Sequence, residues 1–308
     1  MPDILSLGEP MWEMNAIPTE PGKYLLGFGG DTANFCVAAA RQGASVGYVT
    51  RVGSDPFGEQ LRELWKREGI DCSQVRVDEH ASTGGYFVHH SDKGHSFSYA
   101  RSGSAASRLT PDDIDLDAVE NAQFVHSSGI TQAISASARA ATLAMFKHAR
   151  GTGVTTAFDS NLRTRLTTLG EAREALAEIL PLTDYFFPSF EDASALSGST
   201  DHDTIMKWAH SLGASVVLLK LGIDGVKISQ GAGADVMQMA SFPVDTVDAT
   251  GAGDCFAGAT IARMAMGDLM LDAVRYANAA AALTTTAYGA ITAIPRRDTV
   301  KAFLLSRV

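Results

Sequence analysis

The chain has 308 residues, 45% of them hydrophobic, enough to bury a large core as one domain with at most a small appendage. Its formal net charge of -10 excludes a nucleic-acid or anionic-membrane partner, because phosphates need a concentrated basic face. Cys36, Cys72 and Cys255 lie far apart without metal-ligand spacing, so reduced core cysteines of a cytoplasmic protein are expected.

Met1-Pro2-Asp3 leads into an apolar run of only Ile4 to Leu7, too short for a signal peptide, so the mature protein is expected to start here. Further along, short β-branched or aromatic runs alternate with alanine-rich segments of helical period. The predicted strands are 46–49, 124–126, 155–158, 185–187 and 216–220. That is the pattern of an α/β chain with a doubly wound, mostly parallel sheet and helices on both faces.

Between these strands, 27–43 (GFGGDTANFCVAAARQG) reads as a glycine turn entering a helix, with Asp31 as its cap. Asp55 and Pro56 are the N-cap and first residue of another predicted helix, in which Leu61, Leu64 and Trp65 share a face and Gly69 ends the run. Two regions break the rhythm. Tyr86-Phe87-Val88, the turn Ser91-Asp92-Lys93-Gly94 and the alternating Phe97 and Tyr99 read as a hairpin. Together with the segment from Glu9, it is expected to form a small β lid. The lid consists of insertions at about 9–28 and 84–101 within a single domain, 1–308. Residues 276–295 carry no charge and raise the question of a membrane span. Asn278, the threonines and Gly289 point instead to a buried alanine-rich helix and loop.

The segment 245–258, DTVDATGAGDCFAG, carries the most chemistry. A Gly-Ala-Gly turn at a helix start aims unpaired backbone N–H groups at one point, where the helix dipole also favours negative charge. Asp254 would stand there to accept a proton from a hydroxyl, while the N–H groups of Gly251, Ala252 and Gly253 stabilise a transferred phosphoryl group. The bland alternative is that Asp254 only caps the helix. Competing phosphate motifs are missing: Gly22-Lys23 has Ile17 where a Walker A glycine belongs, and no complete G-x-G-x-x-G occurs.

DTVDATGAGD resembles the second signature of the PfkB, or ribokinase, family of sugar kinases, and GFGGDTAN with GYVTRVGSDPFGEQL resembles the first. The resemblance covers about Ile4 to Pro295. It implies a ribokinase-like fold, ATP and magnesium, Asp254 as catalytic base, and Gly29, Gly30 and Asn34 against the sugar. It places Lys220, Gly222 and Gly225, at the end of the apolar strand VVLLK, beside the ATP phosphates, with a solvated strand end as the alternative for Lys220. Ser189 stands where the family has the asparagine of an N-x-x-E motif, with Glu191 or Asp192 organising magnesium through water. Asp248, Thr250 and Gly289 fall where relatives bind a monovalent cation, K+ for example. Asn278 falls on the helix lining the adenine pocket, or satisfies a backbone group instead.

For the substrate, the Tyr99-Ala100-Arg101 segment, FVHSSGI (124–130) and the D-x-N-x-R pattern of 159–163 are similar to the 2-keto-3-deoxygluconate kinases of that family. A planar guanidinium binds carboxylate bidentately, so Arg101 and Arg163 suit a sugar acid; the alternatives are that Arg163 pairs with Asp159 or helps the ATP phosphates and that Arg101 is surface decoration. Tyr86 and Tyr99 are candidates for stacking on the sugar or binding its hydroxyls, or for packing on each other. The expected reaction is phosphorylation of the C6 hydroxyl of 2-keto-3-deoxy-D-gluconate. A fructokinase-like or other neutral-sugar kinase is the alternative, and a non-catalytic sensor a distant one. The free edges of the lid suggest a homodimer.

Overall fold

The computed structural model describes residues 1–17, 19–91 and 94–307. Its strands, in chain order, are β1 (Ile4–Leu7), β2 (Met11–Ala16), β3 (Tyr24–Gly29), β4 (Val46–Gly53), β5 (Val75–Asp78), β6 (Gly85–Ser91), β7 (Gly94–Ala100), β8 (Phe124–Ser128), β9 (Thr155–Asp159), β10 (Tyr185–Phe186), β11 (Val216–Lys220), β12 (Val226–Ser229) and β13 (Met237–Met239). Nine of these form one sheet in the order β13-β12-β11-β10-β9-β8-β1-β4-β5. From β11 to β5 all neighbours are parallel, and β12 and β13 extend one edge antiparallel.

Successive side chains of a strand point to opposite faces, and both faces here are covered by helices. Leu218 packs into one core with Phe35, Trp65, Phe256 and Val300, while its neighbours Val217 and Leu219 join Phe146, Leu176 and Ile205 in the other. The expected doubly wound α/β architecture is the one observed. Several strands run past their predicted ends: β4 reaches Gly53, β8 reaches Ser128 and β9 reaches Asp159. Polar residues end the apolar run but not the ladder, since Ser128 still pairs with Asp159.

The helix Pro56–Arg67 starts as expected, with the Asp55 carboxylate accepting from the N–H groups of Phe57 (3.1 Å) and Gly58 (2.8 Å), and Leu61 and Trp65 fully buried. Asp31 departs from its expected role. Gly30 is the cap of the helix Asp31–Arg41, and Asp31 is its first residue. The backbone explains the exchange: Gly30 has φ 100°, and a Cβ there would fall 2.3 Å from the carbonyl oxygen of Glu9, so only glycine fits.

The second sheet has the order β3-β2-β6-β7. Strand β2 is antiparallel to β3 and parallel to β6, and β6 and β7 form the expected hairpin. Asp92 and Lys93 of its turn lie outside the described residues. Met11, Tyr86 and Val88 form a small core of this sheet, with Phe97 packed against it. The alanine-rich segment is the buried helix Met270–Thr284. No described helix is long and apolar enough to cross a membrane.

Candidate active site

A cavity of about 750 Å3 lies between the small sheet and the carboxyl end of the large one. Strand β1 leads on to β4 on one side while its other neighbour, β8, leads to β9, so the connections diverge and leave a crevice where α/β sheets bind ligands. Asp31, Asn34, Gly251 and Asp254 line it from helix starts, Tyr86 and Tyr99 from the small sheet, Arg101 from just past β7, and Arg163 and Arg165 from the loop after β9.

Asp254 is the third residue of the helix Ala252–Ala265, whose cap is Gly251 with no side-chain bond, so Asp254 does not cap. Asn34 donates from Nδ2 to Asp254 Oδ2 at 2.8 Å, and Asn161 donates to Oδ1 at 3.2 Å. Asp254 keeps some surface open to the cavity but is enclosed by protein. Burial first, then the Asp31 and Asp159 charges, push its carboxyl up to about 7, with Asn34 and Lys220 opposing. The Ala252 N–H turns back to the Ala249 carbonyl at 3.2 Å. That leaves the N–H groups of Gly251 and Gly253 without a partner among the described residues.

Lys220 is not a solvated strand end. Its ammonium pairs with Asp159 at 2.5 Å with only 14% of the side chain exposed, and it lies 3.2 Å from where a Gly253 Cβ would stand. Burial raises the Asp159 carboxyl and the Lys220 charge opposes it. Gly222 and Gly225 bound the turn after β11, and a Cβ on Gly225 would fall 2.1 Å from the Met239 carbonyl oxygen. That contact alone requires glycine there. Asn278 is buried and donates to the Ala240 carbonyl at 3.3 Å, the backbone-satisfying alternative.

Ser189 caps the helix Phe190–Ser197 by accepting from the Asp192 N–H at 3.1 Å. Asp192 in turn accepts from the Ser160 hydroxyl (2.9 Å) and the Leu162 N–H (3.0 Å), whereas Glu191 is exposed. Asp248 accepts from the N–H (3.0 Å) and hydroxyl (2.7 Å) of Thr250, and from the Gly289 N–H at 3.3 Å. The three residues expected around a monovalent cation are thus adjacent.

On the small-sheet side, Arg101 is buried and its guanidinium is ion-paired with Glu9, which also accepts from the Ser104 hydroxyl at 2.5 Å. Burial raises the Glu9 carboxyl against the opposing pull of Arg101 and Ser104. The Tyr86 hydroxyl donates to Glu13 and faces Gly29. Tyr99 packs on Tyr86 at a ring distance of 6.2 Å, with the Arg101 guanidinium 5.7 Å from its centroid. Arg163 is exposed and, among the described residues, bonds only its own loop, to the Leu162 carbonyl (2.9 Å) and Asn161 Oδ1 (3.2 Å).

Sequence reasoning did not name Asp31, Glu9, Asp159, Asn161 or Arg165 as site residues. Asp31 and Asn161 stand inside motifs whose neighbouring residues carry the signal, and Arg165 follows Arg163 by two positions. Nothing local in the sequence marks Glu9, because its partner is 92 residues away.

Residues 1–297 match the pfkB family of carbohydrate kinases. Among curated relatives, a 2-dehydro-3-deoxygluconokinase of Thermoproteus tenax is 36% identical over 96% of this chain and 92% of its own length. A probable fructokinase-4 of Arabidopsis thaliana is 31% identical over 98% of this chain and 96% of its own. The solved structure of a fructokinase with bound ATP from Xylella fastidiosa superposes with a TM-score of 0.91 at 25% identity, covering 100% of this chain and 99% of that one. Its sequence, its two-sheet α/β architecture and these relatives agree: the chain belongs to the pfkB family of carbohydrate kinases.

Proposed function

We propose that the protein phosphorylates the C6 hydroxyl of 2-keto-3-deoxy-D-gluconate with MgATP, giving 2-keto-3-deoxy-6-phosphogluconate and ADP. One observation carries this reading. A single cavity holds the Asp254 carboxylate beside an open glycine turn together with Arg163 and Arg165, which have no carboxylate partner among the described residues. A sugar acid has the matching polarity, with a hydroxyl at one end and a carboxylate at the other.

In this reading Asp254 takes the proton of the C6 hydroxyl as the oxygen attacks the γ-phosphorus. The Gly251 and Gly253 N–H groups stabilise charge on the phosphoryl oxygens. Lys220, beside Gly253, faces the phosphates of the nucleotide. Magnesium, held through water by Asp192 or Glu191, would neutralise phosphate charge. It requires few protein ligands, and among the described residues no group of three or more His, Cys, Asp or Glu could hold a metal alone. A monovalent cation beside Asp248, Thr250 and Gly289 belongs to the same proposal. The small sheet acts as a lid of insertions within one domain and excludes water as a competing acceptor. The use of ATP fits a cytoplasmic enzyme.

The second reading, a neutral-sugar kinase, draws on the neutralisation of Arg101 by Glu9, which removes one of the cationic groups expected for a carboxylate. ADP release measured against 2-keto-3-deoxygluconate, 2-keto-3-deoxygalactonate, gluconate, fructose, ribose and adenosine separates the two. A kcat/KM preference for the first compound supports the sugar-acid reading, and preference for fructose or ribose overturns it while keeping the kinase.

A further inference from the structure

The loop after β9 contains Asn161, whose backbone has φ 33°, the left-handed region, as no other described non-glycine residue does. Such a conformation is strained for a residue with a side chain and persists where surrounding contacts over-determine it. The contacts are specific. The Asn161 N–H donates to Asp159 Oδ1 at 3.3 Å. Its side-chain amide donates to Asp31 Oδ2 and to Asp254 Oδ1, both at 3.2 Å. The remaining oxygen of each carboxylate is held from the helix Asp31–Arg41: Thr32 N–H donates to Asp31 Oδ1 at 2.9 Å and Asn34 to Asp254 Oδ2 at 2.8 Å. Two carboxylates sharing one amide would repel and turn apart without it.

We propose that Asn161 is a positioning residue that ties Asp31 and Asp254 into one carboxylate pair and fixes the orientation in which Asp254 receives the substrate proton. This rests on Asp254 being the base. The charged and titratable groups that interact with Asp254 include Asp31 from the helix start, Asp159 from β9, Lys220 from β11, Tyr86 from β6 and Cys255 next to it on its own helix. Asp31 and Asp159 favour the protonated form and Lys220 opposes it, so the Asn161 amide is a neutral donor that supports the charged form between them. The backbone strain then has a function: it turns the short amide toward both acids at once.

Asn161→Gly separates the amide from the backbone, because glycine adopts this conformation freely. With the sugar that gives turnover as acceptor, the expected result is a loss of kcat of about 100-fold, as for a base out of position. The KM for MgATP should stay within about twofold and the protein should still unfold cooperatively, since relief of the left-handed backbone partly offsets the lost hydrogen bonds and the greater freedom of the unfolded glycine. The acid limb of the pH profile should move to higher pH, because a donor to the charged carboxylate is gone. Asn161→Asp should move that limb further in the same direction. The proposal is overturned if Asn161→Gly keeps kcat within about threefold of the parent, with the limb unmoved, while Asp254→Asn abolishes turnover. Normal turnover in Asp254→Asn removes the base reading itself, and this inference with it.

Discussion

Two arginines that look equivalent in the sequence, Arg101 and Arg163, sit in opposite electrostatic circumstances. Arg101 is 9% exposed and paired with Glu9, itself 1% exposed, so its loss strands a buried carboxylate. Arg101→Ala should therefore lower stability by about 3–5 kcal/mol in denaturant unfolding, with Glu9→Gln/Arg101→Gln recovering much of that. Arg163 is exposed and free of any carboxylate partner among the described residues. Arg163→Ala should leave stability within about 0.5 kcal/mol and raise the acceptor KM far more than the KM for MgATP. For Asp254, replacement by Asn should lower kcat by roughly 100- to 10,000-fold while ATP still binds, which isothermal titration would show. If Asp254 is the base, as proposed, it acts unprotonated, and with its carboxyl pushed up to about 7, kcat/KM should rise with pH through neutrality, with a midpoint near 7.

At the scale of elements, β8 shows how a strand end can carry polar residues without loss of order. His126, fully enclosed, stacks on Phe35 at a ring distance of 3.6 Å and contacts the Ser6 hydroxyl at 2.9 Å. Burial lowers its imidazole from an ordinary 6.5 to about 3. The unfolded chain therefore binds the proton more readily, and the folded state should lose stability as pH falls from about 6.5 toward 3. Urea unfolding across that range should show the loss, and His126→Gln should flatten it. Where an element is named from the sequence, its apolar period marks the buried face, as in Leu61 and Trp65. The strand ends were not readable in this way, because Ser128 and Asp159 carry no apolar signal and are held by pairing with each other's strand.

For the whole molecule, the unpartnered part of the small sheet points to association. Strand β3 is an edge strand, and Tyr24, Leu25 and Leu26 on it are 41%, 67% and 37% exposed. An exposed apolar edge is often covered by a second copy, and we propose a homodimer through this sheet. Sedimentation at micromolar concentration should find the dimer, and Leu25→Asp should shift it toward monomer without lowering the unfolding temperature. The sequence by itself determined the α/β class, the glycine turn before Asp254 and the hairpin of the small sheet, because periodicity and turn chemistry act over a few neighbouring residues. Tertiary structure alone decided which charges meet. Glu9 finds Arg101 across 92 residues, Lys220 finds Asp159 across 61, and Asn161 reaches Asp31 across 130 and Asp254 across 93. Those partners are chosen by where the open, mostly parallel sheet brings its strand ends and the following loops together, and no local pattern in the chain encodes that distance.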